Sequence, residues 1–146
     1  MDNTNPVSAA FRLAHALKRS VLHRIDCESM PLSPMHVRVL KTIEYHVSCT
    51  ANDIAIELDR DKAQVTRLVN TLVELGIVGR EKNPRDKRSQ ILVISDKGKQ
   101  LLIRIEAIDH GILQQLGDQV SAEELIVFAK IATKMADSLE KSATDD

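Results

Sequence analysis

Residues 50–94, TANDIAIELDRDKAQVTRLVNTLVELGIVGREKNPRDKRSQILVI, constrain the fold more than any other part of the chain. They read as a short helix, a tight turn, a longer helix and a two-stranded hairpin with a basic tip. Thr50 is a good N-cap for the first helix, which buries Ile54, Ala55 and Leu58. Asp61 opens the second, and Gln64 three residues on makes something close to a capping box. At about 100° per residue, Val65, Leu68, Val69, Leu72 and Val73 fall on one face, and Ala63, Thr66, Arg67, Asn70, Thr71 and Glu74 on the other. Gly76 ends that helix. Residues 77–82 and 90–94 are strand-like, joined by NPRDKRS, whose Asn-Pro start favours a turn. The order is a helix-turn-helix followed by a wing, so the expected class is mainly α with a small β-hairpin.

The flanks read as helices. Val7, Phe11, Ala14, Leu17, Val21 and Ile25 have helical spacing, broken by DCES and the prolines of MPLSP. Ser33 caps a second helix with Pro34 at its first position, where the missing amide costs nothing, and Val37, Leu40, Ile43 and Val47 form its buried side. Ser95 caps a long helix carrying Leu101, Leu102, Ile105, Ile108, Ile112 and Leu116 on one side, which Gly111 weakens by ~1 kcal/mol relative to alanine. Ser121 with Glu124 is a capping box for the last helix. Its apolar positions Leu125, Phe128, Ala132, Met135 and Leu139 alternate three and four apart, the spacing of a coiled-coil seam. Only about five residues at each end are expected to be disordered.

The 146 residues suffice for one compact unit with a real core, and a net charge of -1 argues against indiscriminate nucleic-acid binding by the whole molecule. The charge is unevenly placed. Between residues 60 and 88 eight basic residues stand against four acidic, whereas residues 118–146 hold three against seven. One part is built to face phosphates and the other is not. No apolar run approaches the ~20 residues needed to span a bilayer, and the amino terminus lacks a signal-peptide pattern. Cys27 and Cys49 form neither a disulfide framework nor a metal-ligand spacing, so the expected location is the reducing cytoplasm.

The exposed face of the longer helix is small and polar enough for a major groove about 12 Å wide. Arg67 can make a bidentate contact to guanine, Asn70 to adenine, and Thr66 can meet a thymine methyl or a phosphate. Lys62 and Gln64 lie near the helix start, where bases and phosphates are usually met. At the hairpin tip Arg85, Asp86, Lys87 and Arg88 crowd like charge that a polyanion would neutralise. Arg88 two residues after Asp86 leads to the expectation that the carboxylate orients the guanidinium, which then reaches a narrow minor groove.

The run VTRLVNTLVELGIVGREKNPRDKRSQILVISDKG resembles the MarR family of transcriptional regulators, with VTRLV, the LGIV turn and the D-x-R wing at family spacing. The likeness extends over roughly residues 7–139. It implies a homodimer, interlocked through the first, fifth and sixth helices, that binds a pseudo-palindromic operator and commonly represses. It also implies a small, often phenolic, effector lying between the dimerisation and DNA-binding regions. By this likeness residues 33–95 are the winged helix-turn-helix, and 7–32 with 96–141 the dimerisation region, held by Phe11, Ile105, Ile108, Ile112, Leu125, Phe128, Ala132, Met135 and Leu139. Asp86 and Arg88 correspond to the wing pair, while Lys62, Gln64, Thr66, Arg67 and Asn70 lie on the reading helix. The chain departs from the family at the turn, where Asp59-Arg60 replaces a glycine and an apolar residue. Aspartate tolerates the left-handed conformation such a turn needs, with some strain, and Arg60 is expected along the surface toward a phosphate.

Sensing residues are weakly indicated. The peroxide-sensing branch of the family uses a reactive cysteine in its first helix with tyrosine partners; Cys27 ends that helix here, Tyr45 is the only tyrosine, and an inert thiol is the better expectation. Zinc-responsive members pair histidines on the fifth helix, where this chain has His110 with Glu106 four residues earlier. No metal or cofactor is expected. No nucleophile elbow, phosphate-binding glycine loop or metalloprotease motif appears, so an enzyme is not expected. The competing class is a coiled-coil interaction module without DNA binding, which explains the last helix and leaves the basic wing idle.

Overall fold

The computed structural model describes residues 5–27 and 29–144, without the side chains of Cys27 and of residues 142–144; the disorder expected over about five residues at each end falls largely outside that description, although residues 142–144 are helical. The elements are α1 (Pro6–Cys27), α2 (Pro34–Tyr45), α3 (Ala51–Glu57), α4 (Lys62–Glu74), β1 (Val78–Lys82), β2 (Gln90–Ile94), α5 (Asp96–Gly117) and α6 (Ala122–Thr144). Two compact units divide within α5, at residues 1–108 and 109–146.

In the first unit the helix starts form as their caps dictate. The Ser33 hydroxyl accepts the His36 amide at 3.3 Å, and His36 Nδ1 accepts the Ser33 amide at 3.1 Å, closing a capping box with histidine in the glutamate position. Burial lowers the His36 pKa, which favours the neutral ring that can accept. Thr50 and Asp53 close the same box on α3, with the Thr50 amide donating to the carboxylate at 2.8 Å. That bond, then the one from the Thr50 hydroxyl, holds the Asp53 carboxyl below its ordinary range. At α4 only half the expected box forms: the Asp61 carboxylate accepts the Gln64 amide at 3.3 Å.

One motif closes both helices of the helix-turn-helix. After α3, Asp59 adopts φ +47°, its amide donates to Ile56 O at 3.2 Å, and the Arg60 amide donates to Ala55 O at 2.9 Å. After α4, Gly76 adopts φ +72°, and Gly76 and Ile77 donate to Val73 O and Leu72 O, both at 2.9 Å. These crossed bonds satisfy the last carbonyls of each helix. Glycine takes the left-handed position freely, whereas the expected strain at Asp59 is of order 1–2 kcal/mol for a residue with a Cβ.

The core gathers Val39 and Leu40 of α2, Ile54 of α3, Val65 and Leu72 of α4, Ile77 and Ile105, all at 2 % exposure or less. Strands β1 and β2 pair antiparallel from Val78↔Ile94 to Lys82↔Gln90, and Leu92 donates to Cys49 O at 2.8 Å, tying the segment before α3 to the wing. Three expectations need correction. Val47 is 95 % exposed, because α2 ends at Tyr45 and His46 turns the chain extended. Ile77 is not in the strand; its amide is used to close α4, so β1 starts at Val78. Leu58, expected to be buried, is half-buried at the end of α3.

The start of α5 is stitched to the end of α4. The Ser95 amide donates to Ile77 O at 3.0 Å and its hydroxyl to Gly76 O at 2.6 Å, while the hydroxyl accepts the Gly98 amide at 3.1 Å. Lys97 Nζ donates to Leu75 O at 2.7 Å, placing a cation at the negative end of α4. Gly98 is required by contact rather than by torsion: a Cβ there would lie 2.3 Å from Ile77 O.

In the second unit, Ser121 and Glu124 form the expected reciprocal capping box on α6, at 2.9 and 3.2 Å. Phe128, Met135 and Leu139 of the expected seam are exposed, with Leu125 and Ala132 half-buried. Ile126, Val127 and Ile131, outside that seam, are exposed as well. Among the described residues no helix is long and apolar enough to cross a membrane.

Candidate nucleic-acid interface

On α4 the buried residues Val65, Val69 and Leu72 are one side of an amphipathic helix, so the helix is held by its back and its polar side is left to solvent. Lys62, Thr66, Arg67 and Asn70 are exposed there, and Arg60 is exposed just before it. Gln64 is half-buried. The Thr66 hydroxyl donates to Lys62 O at 2.8 Å, which commits its only proton and leaves the methyl group and an acceptor site facing outward.

The wing tip is built by two side-chain turns in series. Asn83 Oδ1 accepts the Arg85 amide at 3.0 Å, and Asp86 Oδ1 accepts the Arg88 amide at 2.9 Å. Asn83 Nδ2 also donates to Ser89 Oγ at 2.9 Å, closing the base of the loop. Arg85, Asp86, Lys87 and Arg88 are all exposed. The expectation that Asp86 orients the Arg88 guanidinium is therefore changed. The carboxylate holds the backbone of Arg88, because a side chain this short reaches an amide two residues on more readily than the end of an arginine.

Between the start of α3, the polar side of α4 and the wing lies a cleft of about 460 Å³, whose lining includes Asn52, Thr66, Arg80, Lys87, Arg88 and Gln90. Arg80 had no assigned role in the sequence. Its guanidinium donates to Asn70 Oδ1, joining β1 to the exposed side of α4. The signal was available: Arg80 lies two residues after the buried Val78, and a period of two puts both on the side of β1 that faces the fold.

The remaining expected site residues fall differently. Phe11 is 74 % exposed on α1, whereas Ile105, Ile108 and Ile112 on α5 are buried in a single chain. His110 and Glu106 are exposed, and among the described residues no group of three or more potential ligands could hold a metal ion. Cys49 is 1 % exposed, and burial, followed by the charges of Asp53 and Glu57, pushes its thiol up to about 11. At pH 8 such a thiol is roughly one part in a thousand thiolate, against about a quarter for an ordinary cysteine. Alkylation of Cys49, followed by peptide mass spectrometry, should be more than about 100-fold slower in the native protein than in urea. Equal rates would show that the site opens freely.

The sequence model described as the MarR family matches residues 32–90. An uncharacterised HTH-type transcriptional regulator of Bacillus subtilis, YwhA, is 27 % identical over 128 residues, covering 85 % of this chain and 92 % of that protein. The HTH-type transcriptional repressor MdtR of the same organism is 24 % identical over 113 residues, covering 77 % and 73 %. Among solved structures, the Staphylococcus aureus MepR–DNA complex superposes with a TM-score of 0.76 at 25 % identity, over 92 % of this chain and 99 % of that one.

Proposed function

This chain belongs to the MarR family of transcriptional regulators, and from that premise we propose a repressor that acts as a homodimer on a pseudo-palindromic operator. The observation that carries the proposal is the cleft where Thr66, Arg80, Lys87 and Arg88 meet beside the exposed side of α4. A polar helix face of this width suits a major groove, and a stiffened cationic loop beside it suits the adjoining minor groove and its phosphates. The DNA-bound state of MepR and the repressor role of MdtR, each stated of that protein, support the same reading. A coiled-coil module without DNA contact leaves the match over residues 32–90 without a purpose. The family is one of regulators rather than enzymes, so no residue is assigned a catalytic role.

In this reading residues 33–95 bind DNA, and residues 7–32 with 96–141 make the dimer. Phe11, Leu125, Phe128, Ala132, Met135 and Leu139 supply its apolar surface, and the exposure of Phe11, Phe128 and Leu139 supports that assignment. Ile105, Ile108 and Ile112 contribute by stiffening α5, since they are already covered. Arg67 and Asn70 read bases; Arg60, Lys62, Arg85 and Lys87 hold phosphates, with Gln64 and Thr66 supporting the helix contact. A small phenolic or other aromatic effector and a cytoplasmic location belong to the same reading.

The test is selection of duplexes from a randomised pool, followed by binding isotherms and sedimentation. A dimer should shift one inverted-repeat site in a salt-dependent manner. Arg67→Ala should weaken that site by ~1–3 kcal/mol while leaving random DNA less affected. Lys62→Ala should weaken both alike and lower the salt slope by about one. A monomer at micromolar concentration, or equal losses on both DNAs for Arg67→Ala, would count against the proposal.

A further inference from the structure

We propose that Arg80 is a specificity-determining residue, which acts by holding the Asn70 carboxamide and setting its own guanidinium beside it, so that donors predominate in what the pair presents to the groove. The inference rests on the DNA-binding reading above and extends it to one base position. A free asparagine reads adenine by accepting from N6 and donating to N7. Here one of the two lone pairs of the Asn70 oxygen is spent on the Arg80 guanidinium, whose other N–H groups stand beside it. The orientation of the amide is fixed by chemistry, because arginine carries donors and no acceptor, so the atom on it must be Oδ1 and not Nδ2.

Asn70 then offers its Nδ2 hydrogens, and Arg80 keeps donors beyond those spent on Asn70. Both residues are exposed, and Arg80 lines the same cleft as Thr66 and Arg88. A couple in which donors predominate matches guanine, whose major-groove edge carries two acceptors, N7 and O6. Adenine sets its N6 hydrogens against the guanidinium hydrogens, and that repulsion weighs against it. The position read by Asn70 should accordingly prefer guanine, although asparagine alone would favour adenine. Arg80 comes from the wing strand rather than from α4, so specificity depends on the two elements being held in register.

Selection from a randomised duplex pool by the full-length wild type, Asn70→Ala, Arg80→Ala and Arg80→Lys tests this. The position concerned is the one whose preference Asn70→Ala abolishes. In the wild type it should be guanine. Arg80→Ala frees Oδ1, so the preference should move toward adenine and affinity for the guanine-bearing duplex should fall about tenfold. Arg80→Lys keeps the charge but lacks the planar fork, and should shift the preference in the same way. The Asn70→Ala, Arg80→Ala double variant should lose no more than about what either single variant loses. Three results would overturn the inference: an unchanged base preference in Arg80→Ala, a uniform loss on all duplexes, or single losses that multiply in the double variant. If the wild type enriches no sequence, the DNA-reading function itself fails and this inference with it.

Discussion

Gly98→Ala should lower the melting temperature by about 10 °C at fixed protomer concentration. Alanine ordinarily favours a helix over glycine by ~1 kcal/mol, so propensity alone gives the opposite sign. Contact decides the matter. The new Cβ would stand 2.3 Å from Ile77 O and 2.7 Å from Ile94 Cγ2. The isoleucine methyl can move, but Ile77 O is backbone that already accepts the Ser95 amide. Relieving the clash means lifting the start of α5, which costs the bonds of Ser95 to Gly76 and of Lys97 to Leu75. Overpacking of ~1–3 kcal/mol and about 1 kcal/mol for each weakened bond outweigh the gain, leaving a net loss of roughly 3 kcal/mol. Thermal unfolding of the variant beside the wild type measures it. An unchanged or raised melting temperature would show that α5 separates from Ile77 and Ile94 without penalty.

Arg88→Ala should weaken operator binding about a hundredfold, because a symmetric dimer loses the contact in both half-sites at ~1.4 kcal/mol each. Asp86 gives the sharper test. Removing its negative charge should tighten binding to a polyanion on electrostatic grounds alone. Its carboxylate, however, holds the Arg88 amide at 2.9 Å and so shapes the turn that presents Arg88. Asp86→Ala should therefore weaken binding, while Asp86→Asn, which keeps an acceptor and drops the charge, should bind at least as tightly as the wild type. Isotherms on the selected operator at fixed salt separate the two effects. Tighter binding by Asp86→Ala would reduce the wing to bulk basicity.

Much of the architecture was legible in the residues, and the reason is local. Ser33, Thr50, Ser121 and Gly76 act on amides or carbonyls within a few positions of themselves, so the helix boundaries they mark could be read directly. The two faces of α4 follow from a period of 3.6 and a single core. Even the departure at Asp59 was legible, since few other side chains tolerate φ +47°. Val47 failed the same logic because apolar spacing continued past the point where the helix stopped.

What the tertiary structure alone decided is how side chains distant in sequence spend their polar atoms. Arg80 and Asn70 are ten residues apart and on different elements, and no periodicity links a strand position to a helix position across a turn. Ser95, Lys97 and Gly98 meet the end of α4 about twenty residues upstream, where only the packed backbone shows how little space a glycine leaves. Asp86 was legible as a partner of Arg88, but whether it takes the amide or the guanidinium depends on the path of the loop. A sequence displays each donor and acceptor, and local geometry pairs the near ones. The distant pairs are set by the packing that brings α4 and the wing together.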